Sequence, residues 1–131
     1  MKEQVTSVEQ SKRLIELGVP AHKANMVWDT ISLVPNPTLV IWEANTDMKY
    51  WQVDNLGYVP AFTVADLIAI LPTTCGCFQI GLDRVIKNNT HIFYEDYADS
   101  SHIIFFIENS LVESCVKAIE WVISNNYKLN I

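Results

Sequence analysis

Two cysteines separated by one glycine, Cys75-Gly76-Cys77, are the residues whose types and spacing most readily suggest chemistry. Two thiolates so close could share a metal, with His91 and His102 on neighbouring predicted strands as further donors. A structural zinc site needs a fuller ligand set, built from pairs more widely spaced than this one. The remaining cysteine, Cys115, falls on the apolar stripe of a predicted helix, and a thioredoxin-type pair would have two residues between its cysteines and lead into a helix. We read the stretch as a flexible corner leading into a strand. No metal site and no stoichiometric zinc are expected.

Nucleophilic catalysis asks for a Ser, Cys or Thr beside a base that a third group orients. His22, His91 and His102 are the only histidines, and no G-x-S-x-G elbow, P-loop, G-x-G-x-x-G or H-E-x-x-H accompanies them. His22 lies in a predicted exposed turn. His102, at the mouth of an apolar strand, reads as structural. Glu95, Asp96 and Asp99 in YEDYADS could bind a hard cation or hold an acid of raised pKa. The spaced ligands and the glycine of an EF-hand loop are missing, so surface acidity at a strand end is the simpler reading. We assign no catalytic residue and no cofactor-binding residue, expect no cofactor, and lean against an enzyme.

The tryptophans are the better clue. Trp28, Trp42, Trp51 and Trp121 are four indoles in a small chain, the first three on predicted strands. If two of these share the solvent face of a sheet, Trp28, Trp42 and Trp51 would form a partner-binding surface. The alternative, that they fill the core between sheet and helices, stays open.

The elements that must hold these residues are marked by local signals. VTSVEQSKRLIELGVP predicts a helix with both ends defined. Ser7 and Gln10 fit a capping box, Val8, Leu14, Ile15 and Leu17 form a narrow apolar stripe, Gly18 supplies a left-handed end and Pro20 blocks continuation. MVWDTISLV (26–34) and TLVIWEA (38–44), joined by a PNP turn, read as a hairpin or meander. Alternation in TDMKYWQVDNLGYVP (46–60) suggests a third strand. In PAFTVADLIAILP, Thr63 caps a short helix with Asp66 as its partner. Val64, Leu67, Ile68 and Leu71 form one stripe, and Pro72 ends it; lacking a polar face, the helix should be mostly buried. TTCGCFQIGLDRVI, THIFYEDY and SHIIFFIEN read as three more strands. The uniformly apolar run His102–Ile107 suggests a central strand covered on both faces. Ser110 and Glu113 open the last helix, whose stripe is Leu111, Cys115, Ala118, Ile119 and Val122, with Asn125-Asn126 as its stop. The expected class is α+β: an antiparallel sheet of about five or six strands packed with three helices.

The whole chain sets outer bounds. Its 131 residues are expected to form a single domain, 1–131, with half of them hydrophobic and ample material for a core. Fifteen acidic and nine basic residues give a formal charge of −6. The densest basic group, Lys12-Arg13, is flanked by Glu9 and Glu16 at helical spacing, so it reads as an internally paired, solvated face rather than a phosphate-binding one. MKEQVTSVEQSKR is too polar for a signal peptide, and no apolar run approaches the roughly 20 residues a bilayer needs. A reduced, cytoplasmic setting without membrane contact is expected.

Three segments carry a resemblance: VTSVEQSKRLIELGVP, PAFTVADLIAILP and the closing KAIEWVISNNYKL. Together they cover about a third of the chain, and the middle one is the most specific. With them the chain resembles a set of small uncharacterised proteins of prophages and mobile elements in gut Bacteroidetes-type bacteria. The resemblance implies a single-domain cytosolic α+β protein and no particular activity, so Thr63, Asp66 and Pro72 carry over as structural marks.

Three functional readings follow. The leading one is a non-catalytic accessory protein, phage- or mobile-element-associated, that binds an unidentified protein partner, with homodimerisation left open. The second is a small-ligand binder or enzyme with a pocket between sheet and helix, using His91 or His102 with Glu95, Asp96 and Asp99. The third is a DNA-binding accessory protein, since the N-terminal helix, the Gly-Val-Pro turn and AHKAN resemble a helix-turn-helix. A strand at Met26 would leave no room for its recognition helix, and nucleic acid is not an expected partner.

Overall fold

The computed structural model describes residues 4–29, 38–41, 58–83, 91–99 and 102–131. Among these residues the class is α+β with three α-helices, as expected, but the strands divide between two antiparallel sheets instead of sharing one. Alternation along a chain marks which side chains share a face and not which strands become neighbours. The PNP turn, Trp42 and Trp51 lie outside the described residues, as does all but the end of the strand expected over 46–60. The chain clusters into two compact units, Met1–Asp66 with Ile131 and Leu67–Asn130.

The first unit holds helix α1 (Val8–Glu16), a 3-10 turn (Ala21–Lys23) and strands β1 (Met26–Asp29), β2 (Thr38–Ile41) and β3 (Tyr58–Ala61). In α1 the Ser7 side chain accepts from Gln10 N–H and the Gln10 side chain reaches back to Ser7 N–H, a complete capping box. At the other end Gly18 has φ +101°, and the Gly18 and Val19 amides close onto Ile15 and Leu14 carbonyls. This is the Schellman arrangement, which a side chain at Gly18 would strain. Strand β1 is central, pairing with β2 on one side and β3 on the other. Pro60 of β3 is tolerated because β3 is an edge among the described strands, where a missing N–H costs no ladder bond. Val5, Trp28, Val59 and Ala61 form an apolar cluster, with Val8 and Met26 packed against it.

Helix α2 (Val64–Ile70) begins in the first unit and continues into the second. Thr63 and Asp66 cap it reciprocally, as anticipated: Thr63 N–H donates to Asp66 Oδ2 at 2.9 Å and Asp66 N–H to Thr63 Oγ1 at 3.1 Å. The buried stripe is shifted from the expected one. Asp66, Leu67, Ile70 and Leu71 are buried, whereas Val64 and Ile68 are half-buried and Ala65 and Ala69 face solvent. The helix is capped at its far end by the C-terminal tail, where Asn130 donates to the Ala69 and Ile70 carbonyls.

The second unit builds a four-stranded sheet in chain order from β4 (Thr74–Cys75), β5 (Phe78–Asp83), β6 (His91–Asp96) and β7 (Ile103–Phe106). The first expected strand is thus a hairpin, β4–β5, turning at Gly76-Cys77. Gly76 at φ +60° supplies the first central residue of a type II′ turn, a place that suits glycine. Helix α3 (Leu111–Ser124) packs on β6 and β7, and Val112, Cys115, Ile119 and Val122 are among its buried residues. Its Ser110 cap accepts from Glu113 N–H, and Asn126, at φ 62°, closes its C-terminus with Tyr127 in a second Schellman motif. Trp121 stacks on Tyr94 with ring centres 5.3 Å apart and meets Phe78 and Phe106 edge-on. A Cβ on Gly81 would overlap the Phe93 ring, so glycine lets that ring lie across the strand.

Candidate functional site

Trp28 does not present a surface. It is 6% exposed, packed in the apolar cluster, and its indole N–H donates to the Thr6 carbonyl at 2.8 Å. The reason is a buried polar knot: the Thr6 hydroxyl lies 2.6 Å from that of Ser11 and accepts from Phe62 N–H, while the Thr6 and Phe62 backbones also bond. A buried indole N–H requires an acceptor, and the N-terminal segment supplies one. The partner surface expected from Trp28, Trp42 and Trp51 therefore loses its first member, the other two lying outside the described residues. Trp121 is half-buried within the aromatic cluster of the second unit.

The Cys75-Gly76-Cys77 corner separates its sulfurs. Cys75 is buried and Cys77 exposed. The Cys77 thiol donates to Asp96 Oδ2 at 3.4 Å, and that carboxylate bond, more than any other influence, raises the thiol above its ordinary pKa. Asp96 is held below the usual carboxylate range, first by the Ala98 amide and further by the Cys77 thiol and the Asp99 amide. The positions expected as an acidic cluster thus serve to close a turn, with Asp96 as its acceptor. His102 stands beside this turn, exposed, its ring edge-on to Phe78 at 5.2 Å and its N–H bonded to the Asp99 carbonyl. Cys77 and Asp96 are hydrogen-bonded here with His102 in the neighbourhood of the carboxylate, yet a thiol held protonated is a poor nucleophile. Among the described residues no three of His, Cys, Asp and Glu converge as a metal-ligand group.

His91 belongs elsewhere. It is fully buried, with Nδ1 3.4 Å from the Ser114 hydroxyl of α3. It opens β6 and Asp96 closes it, so about 17 Å of strand separates them. The pocket imagined from His91, His102, Glu95, Asp96 and Asp99 is not assembled as one group. His22 is exposed in the 3-10 turn.

The second unit exposes a different feature, the outer edge of β7. His102–Ile107 was expected to be central and covered on both faces; instead β6 is central and β7 is the edge among the described strands. Phe105 is 37% and Ile107 39% exposed. An apolar run without alternation can belong to a covered strand or to one awaiting a partner, which explains the error. Residues facing β6 are identified by the bond from Asp96 N–H to the His102 carbonyl. In the β6–β7 register Ile104 and Phe106 share that parity, so the N–H and C=O of Ile103 and Phe105 point outward. Phe105 stands opposite Phe93, their rings 5.4 Å apart on the face away from α3.

Comparison with protein-family models, with curated proteins and with solved structures finds no match. Among the described residues no helix is long and apolar enough to cross a membrane.

Proposed function

We propose that this chain is a non-catalytic accessory protein that works by binding another polypeptide, and that β7 is where it binds. The observation that carries the reading is the outer edge of β7, where the ladder groups of Ile103 and Phe105 point away from β6 and have no strand partner among the described residues, beside exposed Phe105 and Ile107 side chains. Edge strands are ordinarily blunted by lysine, proline or a bulge, and none of these interrupts Ile103–Ile107. A polypeptide added there gains main-chain bonds for affinity and apolar contacts for specificity. The acidic turn and the Cys77 corner contribute structure to this reading. The setting, a phage or mobile element of gut bacteria, rests on the sequence resemblance alone.

The test replaces Phe105 with a photoreactive phenylalanine analogue and crosslinks in the host cell. The same analogue at Gln79, exposed on the same sheet, is the control. We expect a polypeptide adduct at position 105 and none at 79. Absence of any adduct, or equal adducts at both positions, would sink the reading.

A further inference from the structure

We infer that the strand completing this edge is β7 of a second copy of the chain, joined antiparallel about a twofold axis at Phe105. The inference rests on the proposed binding role of β7 and names its partner. Its basis is that the segment HIIFFIE (102–108) is complementary to itself when reversed.

Centring the pair on Phe105 sets Phe105 against Phe105, Ile103 against Ile107 and Ile104 against Phe106. At the ends it sets His102, a donor, against Glu108, an acceptor and an opposite charge when the imidazole is protonated. The backbone agrees with the side chains. The groups facing outward belong to Ile103 and Phe105, with Ile107 next in the alternation, and these are the residues that register makes hydrogen-bonded pairs. Centring the pair between two residues, such as Phe105 and Phe106, would set outward-facing groups against groups already engaged with β6, and centring it on Ile104 or Phe106 would lose the His102–Glu108 and Phe105–Phe105 matches.

A twofold axis normal to the sheet keeps equivalent faces on the same side. Phe105 of each copy then lies beside the other, with each copy's Phe93 next in line. The half-exposed aromatic pair becomes part of a continuous aromatic row across an eight-stranded sheet, built from the four strands of each copy. The opposite edge, two-residue β4, offers much less ladder for such a pairing.

Sedimentation equilibrium on the untagged full-length chain tests this across a wide concentration range. We expect a monomer–dimer equilibrium. Phe105→Lys places like charges at the axis and should weaken the dimer about a hundredfold, while Gln79→Lys on the same sheet leaves it unchanged. Because Phe105→Lys could disturb the unit, amide exchange on the unmodified chain provides a second measurement. The Ile103 and Phe105 amides should gain protection as concentration rises. A monomer at every concentration overturns the inference, as does a dimer in which those two amides stay unprotected. If the monomer still gives a specific crosslink from position 105 to another polypeptide, only the choice of partner was wrong. With neither dimer nor crosslink, the binding role of β7 falls as well.

Discussion

Cys77 is the exposed member of three free cysteines, yet its neighbours oppose the thiolate. Asp96 accepts the thiol proton and carries a negative charge beside it, and both effects raise the pKa. Burial pushes Cys115 up to about 12, and burial likewise raises Cys75 against the opposing bond from Tyr94. Since reactivity follows the thiolate fraction, a chromogenic disulfide reagent should label one thiol per native chain at neutral pH, and slowly. Cys77→Ser should abolish that labelling, and Cys75 and Cys115 should react only after unfolding. Asp96→Asn removes the charge and the ionised acceptor, so labelling of Cys77 should accelerate. An unchanged rate would mean that the Cys77–Asp96 contact does not govern the thiol. Asp96 also fixes a sign for acid stability. Its folded pKa lies below the ordinary aspartate value, so its contribution is complete above that value and disappears as pH falls through the lowered one.

At the scale of an element, the start of α2 depends on one carboxylate. Asp66 is buried and accepts from Thr63 N–H, from Asn25 N–H at 3.1 Å and from the Asn25 side-chain amide. It therefore caps the helix and fastens the chain just before β1 to the same point. Asp66→Ala would leave the Thr63 and Asn25 amides without that acceptor in a partly buried place. The expected loss is roughly 2–3 kcal/mol, a charged acceptor and a cap together. Urea denaturation should show it as a lower midpoint with an unchanged slope. A shift within a few tenths of a kcal/mol would mean that water replaces the carboxylate. Half of this arrangement was legible, because a capping box lies within one turn of sequence. Asn25 was not, since it is 41 residues away and no local pattern joins it to Asp66.

For the whole molecule the deciding quantity is charge. The formal charge is −6, and Arg13 on exposed α1 lies 3.9 Å from Glu16. The helix-turn-helix resemblance also ends early, because α1 is followed by the 3-10 turn and then β1, without a second helix in the recognition position. We expect no gel shift of duplex DNA even at low salt. A shift that weakens steeply with added salt would show a phosphate-binding face that the charge distribution does not suggest.

The sequence by itself determined what local geometry settles. Ser7 and Gln10, Thr63 and Asp66, Gly18 and Asn126 mark helix ends because each acts within a turn or two of chain. The apolar periodicity of α3 likewise shows where its core face lies. Tertiary structure alone decided the division into two sheets, the burial of Trp28 and the placement of β7 at an edge. Each depends on pairing between segments far apart in sequence, where alternation specifies a face but no neighbour. The Thr6 knot that buries the Trp28 indole and the outward-facing amides of Ile103 and Phe105 are results of that pairing.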